Sequence, residues 1–416
     1  MAQLSQDCFA FGKKLIKLET AINRIKKNIK PTEKIEEINT SISLNRILAH
    51  NIISKINIPP HSNSAVDGYA IKYNDYKSGN REFNIVGKST AGHPYNKKNK
   101  KLDCIRILTG AIVPNGYDTV IMEEDCIIKN ETLILPNKIK KFMNYRHLGE
   151  DIKVKDKVFL AGHKLRPQDI GVLYSIGIKI IKVYEQLKVC VFSCGDELSN
   201  TDIPLKKGKI YDSNRIMLVN FLSKLNYKVQ DLGILKDNKA YISKKLNKAS
   251  INNDFIITSG GMSLGDEDHI KPIIEESGVM HVWRLAIKPG RPVGYGIYNQ
   301  TPILGLPGNP AAVFVTFLML GIPILKLMSG HKLLKNRYIP VKINFEHKKK
   351  LGRKEFLRVQ LESKGNSLIL NKFHKEGAGI LSSASWATGL GIIDDNIKEV
   401  KKQDTINYIS LNELLN

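Results

Sequence analysis

The sequence predicts an α/β domain joined to two β-rich parts, and three observations carry that expectation. From about Leu187 to Gly330, short apolar strands alternate with helix-length segments, the pattern of a doubly wound parallel sheet. Residues 51–146 read instead as short strands broken by glycine turns, and so do residues 336–416. The chain of 416 residues is long enough for two to four separate cores.

Taken in order, the first fifty residues read as helical, because Leu15, Leu18, Ile22, Ile25 and Ile29 recur at helix spacing. Pro31 interrupts the pattern, and Ser43 is placed to cap a second short helix carrying Leu44, Ile47 and Leu48. Pro59-Pro60-His61-Ser62 opens a turn-rich loop that reaches Asp67-Gly68, which alone reads as a hairpin turn. The β-rich stretch then holds Arg106–Ala111, with Thr109, and ends an apolar strand in Glu123-Glu124-Asp125, an exposed strand end or a cation contact. Arg146–Asp151 leads back to helical and extended segments that finish near Val183.

Within the α/β part, strand Val189–Phe192 runs into Ser193–Glu197, and Tyr211–Asn214 caps a helix reaching about Leu225. A strand (Val229–Leu235) and a helix (Lys239–Leu246) precede a buried strand, Asp254–Ile257. That strand breaks into Thr258-Ser259-Gly260-Gly261-Met262-Ser263-Leu264-Gly265-Asp266-Glu267-Asp268 before the next helical run. Paired glycines between a strand and a helix leave backbone N–H groups free for an oxyanion, and Ser259 and Ser263 add hydroxyl donors. The acids that follow suit a bridging divalent cation, while Asp268 alone serves equally as a helix cap. A third bend, Leu306-Pro307-Gly308-Asn309-Pro310, has Asn309 at a helix N-cap and Pro310 at the first helical position. In such sheets ligands sit at the carboxyl ends of the strands, where all three bends are expected. Between the second and third come Arg284, Lys288 and Arg291, cations set on a backbone stiffened by prolines, which favours anion binding over plain solvation. Past Arg337, strands Ile339–Phe345, Glu355–Glu362, Ser367–Phe373 and Thr405–Ile409 imply a small all-β domain containing Arg358.

Composition narrows the function. The net charge of +24 arises from lysine spread along a chain rich in isoleucine and asparagine, as an A/T-rich coding sequence produces. Its basic runs, such as Lys97–Lys101 and His347–Lys350, lack interleaved aromatics, so no nucleic-acid partner is expected, although the charge favours anionic substrates. Five cysteines without a C-x-x-C pair argue against a disulfide framework or zinc cluster and for a reducing, cytoplasmic compartment. The polar Met1–Asp7 opens no signal peptide, and the sixteen apolar residues Pro310–Leu325 read as a core helix, so no membrane is expected.

Pro59–Ala70, Arg106–Asp125, Gly149–Asp151, Gly195–Leu198, Ser259–Lys271, Lys288–Pro292 and Leu306–Pro310 together resemble the MoeA family. These are molybdopterin molybdenumtransferases, and the gephyrin E domain is a relative. The likeness runs from about Ser43 to the C-terminus. It implies an elongated multidomain subunit with a discontinuous N-terminal domain (1–50 and 147–185) and a β-rich insertion (51–146). A MogA-like, molybdopterin-binding α/β domain (186–330) and a C-terminal β-barrel-like domain (336–416) follow. It also implies homodimers, Mg²⁺, and adenylylated molybdopterin and molybdate as substrates, with transient contact to the adenylyltransferase and to molybdoenzymes. The reaction implied cleaves the adenylate and leaves molybdenum on the dithiolene.

By motif match, the resemblance gives catalytic positions to Asp67, Thr109, Asp151, Glu197, Asp237, Asp268 and Lys288. It gives binding positions to Ser259, Gly260, Gly261, Ser263, Arg284, Lys288, Pro307, Gly308, Asn309, Pro310 and Arg358, and metal-ligand positions to Glu197, Asp237 and Asp268. Two departures stand out: His61-Ser62 replaces the family's Phe-Asp, and Ala378 in Glu376-Gly377-Ala378-Gly379 lacks the hydroxyl of a serine implicated in molybdate binding. Loss of that hydroxyl is expected either to weaken molybdate affinity or to shift the contact to Ser382 or Ser383. An adenylyltransferase acting one step earlier and a non-catalytic molybdopterin-binding scaffold are the rival functions.

Overall fold

The structure is a computed structural model that describes residues 15–260, 269–332 and 336–415. Two compact units emerge: Glu37–Val183 is one, and Met1–Glu36 with Tyr184–Asn416 is the other.

The first unit is built on a six-stranded sheet with the order Thr119–Met122, Gly68–Ile71, Asp103–Ile107, Glu82–Ser89, Thr132–Ile134 and Ile127–Lys129. Gly68 opens a central strand rather than a hairpin. A Cβ there would lie 1.9 Å from the Ile121 carbonyl oxygen, so only glycine allows the approach. A second core, Leu48, Leu165, Leu173, Ile176, Ile181 and Val183, lies under the helix Pro167–Ser175. The short helix expected after Ser43 does not form. Asn45 sits at φ +62°, which ends any right-handed turn, and Ile47 and Leu48 form isolated bridges to Lys164 and Val183 instead.

In the second unit, the α/β sheet has the order Lys228–Leu235, Lys188–Cys194, Phe255–Ser259, Thr301–Leu306, Pro292–Tyr298 and Gly278–Arg284. The first four strands are parallel, but the last two are antiparallel, so the sheet is mixed. The difference follows from the connection: no helix separates Gly278–Arg284 from Pro292–Tyr298, and without a crossover neighbouring strands must run antiparallel. Both faces are covered, as the alternation along the first strand requires. Val189 and Val191 face a core with Leu218, Leu222 and the Pro310–Met328 helical stretch. Cys190 and Phe192 face the opposite core with Ile242, Leu246 and Ile273. Pro310–Met328 is long and apolar enough to cross a membrane, yet 83% of that window is buried.

Helix Leu18–Asn28 packs into this α/β core through Leu18, Ala21 and Ile25. Helix Leu18–Asn28 thus packs with the second unit, because its apolar stripe has its partners there.

The C-terminal strands Lys354–Lys364, Ser367–Lys372, Ile339–Ile343, Thr405–Ser410 and Gly389–Ile393 form a small closed β-barrel, since the last also pairs with the first. Ile287–Lys288 adds to it in parallel beside Lys354 and Glu355, which ties the barrel to the α/β sheet.

Candidate functional site

The three bends meet at one margin of the α/β sheet. Gly260, at φ +87°, passes so close to the first bend that a Cβ would lie 2.5 Å from the Cys194 carbonyl oxygen. Its N–H donates to the Leu306 carbonyl of the third bend at 3.2 Å. The Ser259 hydroxyl donates to the Pro307 carbonyl at 3.3 Å and accepts from Asn214 Nδ2 at 2.9 Å. Asn214 Nδ2 also donates to the Gly308 carbonyl at 2.7 Å, so one buried amide joins the second bend to the third. Sequence reasoning read Asn214 only as part of a helix cap; the cap itself is Asp212, which accepts from the Arg215 N–H. Ser259 is engaged inward, so the hydroxyl expected to donate to a ligand holds the loop instead.

Asn309 occupies the N-cap position before Pro310, as expected, yet its side chain makes no capping hydrogen bond. It lines a cavity of about 360 Å³ instead, together with Pro307, Lys288, Pro289, Gly290 and Arg291. The barrel completes the lining with Arg353, Glu355, Arg358, Lys372, Phe373, Lys375, Glu376, Gly377 and Ala378. Six cations and two carboxylates face this space, which sets its sign as positive. Lys288 reaches it from a narrowly placed segment. Ile16 pairs with Leu285 on one side, the Lys354 N–H donates to the Ala286 carbonyl at 2.9 Å on the other, and Gly290 follows at φ +103°.

Arg358 is 9% exposed, and burial pulls its guanidinium below the usual value, opposed by Glu355 and Glu376. Its Nε donates to Ser383 Oγ at 3.0 Å and its Nη2 to the Gly377 carbonyl at 3.1 Å. Ser383 therefore backs the guanidinium and does not replace the hydroxyl absent at Ala378; Ser382 is exposed and outside the lining. Arg284 is 8% exposed and is not among the residues lining this cavity. Of the barrel's acids, Glu376 lies in the segment already singled out at Ala378, whereas Glu355 and the cations Arg353, Lys372 and Lys375 carry no motif.

Glu197 and Asp237 follow adjacent parallel strands, whose ends pair at Cys194 and Leu235. The Glu197 carboxylate folds back on Gly195, where a Cβ would meet Oε2 at 2.5 Å. Asp237 Oδ1 accepts from the Cys194 thiol at 3.4 Å and lies 3.8 Å from His269 Nε2. Among the described residues, no three His, Cys, Asp or Glu side chains gather as a metal-ligand group. Gly261, Ser263 and Asp268 lie outside the described residues. Glu197 is exposed and Asp237 mostly buried, and their carboxylate chemistry is the kind a hard cation such as Mg²⁺ takes, one or two carboxylates with water and phosphate completing the shell.

In the other unit, Asp67 and Thr109 come together. Asp67 Oδ1 accepts from the Thr109 hydroxyl and N–H, both at 2.7 Å, and these hydrogen bonds hold the carboxyl below its ordinary range. Asp151 is exposed, and its N–H donates to the Ile58 carbonyl at 3.0 Å. Ser62 Oγ accepts from the Leu148 N–H at 3.1 Å, a fold contact at the departure position. Glu123 pairs with Arg106 at 3.1 Å, which favours the strand-end reading of that acidic run.

Three family models match the chain one after another. Residues 16–177 match the MoeA N-terminal region (domain I and II), residues 190–327 a probable molybdopterin binding domain, and residues 340–411 the MoeA C-terminal region (domain IV). A molybdopterin molybdenumtransferase from Haemophilus influenzae is 38% identical over 346 residues, 83% of this chain and 85% of that one. One from Nostoc is 34% identical over 300 residues, 68% and 67% of the two chains. Among solved structures, a molybdopterin biosynthesis moeA protein from Pyrococcus horikoshii superposes with a TM-score of 0.82 at 25% identity, covering 95% of this chain and all of that one.

Proposed function

We propose that this chain, which belongs to the MoeA family of molybdopterin molybdenumtransferases, takes adenylylated molybdopterin and molybdate, releases AMP and leaves molybdenum on the pterin dithiolene. The observation that carries the reading is the cation-lined cavity beside the third bend. Molybdate is a tetrahedral oxydianion, and Lys288, Arg291 and Arg358 converge on a space that suits one. With alanine at position 378, the grip on the anion is cationic, and Arg358 is held for it by Ser383 and Gly377.

The bends around Gly260 and Pro307–Asn309 are the seat for the adenylylated pterin, where a backbone closely approached by ligand meets the sheet margin. Glu197 and Asp237, with Asp268, hold Mg²⁺ in this reading. Held there, such an ion would supply charge neutralisation at the phosphoanhydride. Asp67, Thr109 and Asp151 are assigned to the reaction as motif positions, the first two as a hydrogen-bonded pair poised to accept or orient a proton. The active form is taken to be a cytoplasmic homodimer. No cysteine is required, because the sulfurs that bind molybdenum belong to the pterin. Purified protein given Mg²⁺, adenylylated molybdopterin and molybdate is expected to release AMP in a molybdate-dependent way. Consumption of ATP with molybdopterin alone would instead mark the adenylyltransferase step.

A further inference from the structure

One wall of the anion cavity carries charge of the opposite kind from that needed. Glu355 is 4% exposed and lines the cavity. It stands directly across the parallel pairing from Lys288. A carboxylate so far from water persists when it is paired. Its Oε1 lies 2.7 Å from Lys288 Nζ, and its Oε2 lies 3.2 Å from Nε2 of His347, itself 5% exposed. The second contact is at bonding distance but not aligned, since neither Nε2 nor Oε2 has a hydrogen-bond partner. On its far side, His347 Nδ1 faces Glu376 Oε1 and Lys372 Nζ, each at 3.4 Å. Burial raises the Glu355 pKa, but His347 and Lys288 outweigh it, so the carboxyl sits below its ordinary range and is charged.

The ordinary explanation is a strut that pins the barrel to the segment before it. That junction is already made without the carboxylate. Lys354 donates through its N–H to Ala286, and Ile287 and Phe356 share an apolar core. Apart from its buried contact with His347, the Glu355 side chain bonds one group, the Lys288 ammonium, 41% exposed at the cavity wall. We propose that Glu355 and His347 are positioning residues for Lys288, the carboxylate fixing the ammonium on the cavity wall and the imidazole fixing the carboxylate. An incoming oxyanion competes with Glu355 for this ammonium. Removing the carboxylate charge makes the cavity more positive, so anion binding holds or tightens. The freed ammonium loses its fixed place, so transfer slows.

The consequence for turnover rests on the functional reading above; the placement of Lys288 does not. The test is Glu355→Gln, an isosteric change, in the full chain, with acetic anhydride labelling of Lys288 read by peptide mass. Without its ion pair to Glu355 the Lys288 amine is released from the carboxylate that holds it, so Lys288 is expected to acetylate about threefold faster or more. Molybdate binding by calorimetry should be equal or tighter. Turnover in AMP release should fall about tenfold with KM for molybdate not raised, the signature of lost placement rather than lost binding. His347→Gln should move the labelling rate the same way by less, and decides the matter if Glu355→Gln does not fold. Unchanged Lys288 labelling, or molybdate binding weakened about tenfold, overturns the proposal. A wild-type protein that releases no AMP overturns the functional reading instead, and labelling still decides the placement.

Discussion

Two cavity cations differ in how they are held, and this sets what replacing each should do. Arg358 spends Nε on Ser383 and Nη2 on Gly377, so its planar fork is fixed from behind while the remaining donors are spared for a ligand. A lysine's single nitrogen cannot stand at both the Nε and Nη2 positions and still face the cavity. Arg358→Lys is expected to lower kcat/KM for molybdate by about 10²-fold with the melting temperature nearly unchanged, measured by AMP release beside a thermal scan. Lys288→Gln removes the ammonium itself and leaves Glu355 buried without its ion partner. It should cost a comparable factor in turnover and also some stability. Asn214 acts on shape rather than charge. Asn214→Ala takes the side-chain donor from the Gly308 carbonyl and from the Ser259 hydroxyl, which keeps only its bond to Pro307, and should destabilise the unit by about 1–3 kcal/mol in urea titration.

Among the elements, the three bends and most of their flanking strands were legible because buried parallel strands are continuous apolar runs, and each bend broke one at glycine or proline. Other elements were hidden for reasons of local chemistry. Strand Gly389–Ile393 closes the barrel but carries two glycines, which mask a strand signal. A Cβ at Gly389 would lie 2.3 Å from the Ile409 carbonyl oxygen, so packing demands the residue that obscures the pattern. The helix expected at Leu44–Leu48 had correct spacing, but five residues cannot outweigh Asn45 in a left-handed turn. The roles of Glu355 and Asn214 are not legible in the sequence, since each depends on a partner far away along the chain, Lys288 and Gly308. Gly290 gives this scale its prediction. It holds φ +103°, and a Cβ would meet Thr316 Cγ2 at 2.1 Å. Gly290→Ala should cost about 2 kcal/mol or more in chemical denaturation and displace Lys288 with it, lowering turnover beyond the stability loss.

Across the whole molecule, the +24 charge and a few depressed carboxyls fix the response to acid. Burial raises the Asp169 pKa, but hydrogen bonds from Arg166 and His163 more than offset it, bringing the value from 3.8 to about 2. A carboxyl depressed in the folded state stabilises fully above its unfolded pKa and loses that stabilisation as pH falls through the folded one. Glu355 and Glu376, also depressed, act in the same direction in the other unit. Thermal midpoints should thus decline as pH drops from about 4 toward 2, while self-repulsion of the cationic chain grows. Asp169→Asn should flatten that decline for Glu37–Val183, read by a tryptophan-independent probe such as circular dichroism.

The most direct measurement is AMP release by the purified wild-type chain from adenylylated molybdopterin with Mg²⁺, titrated with molybdate. The cation-walled cavity predicts release that rises with molybdate and saturates. Release no faster than in protein-free solution at every molybdate concentration would contradict it.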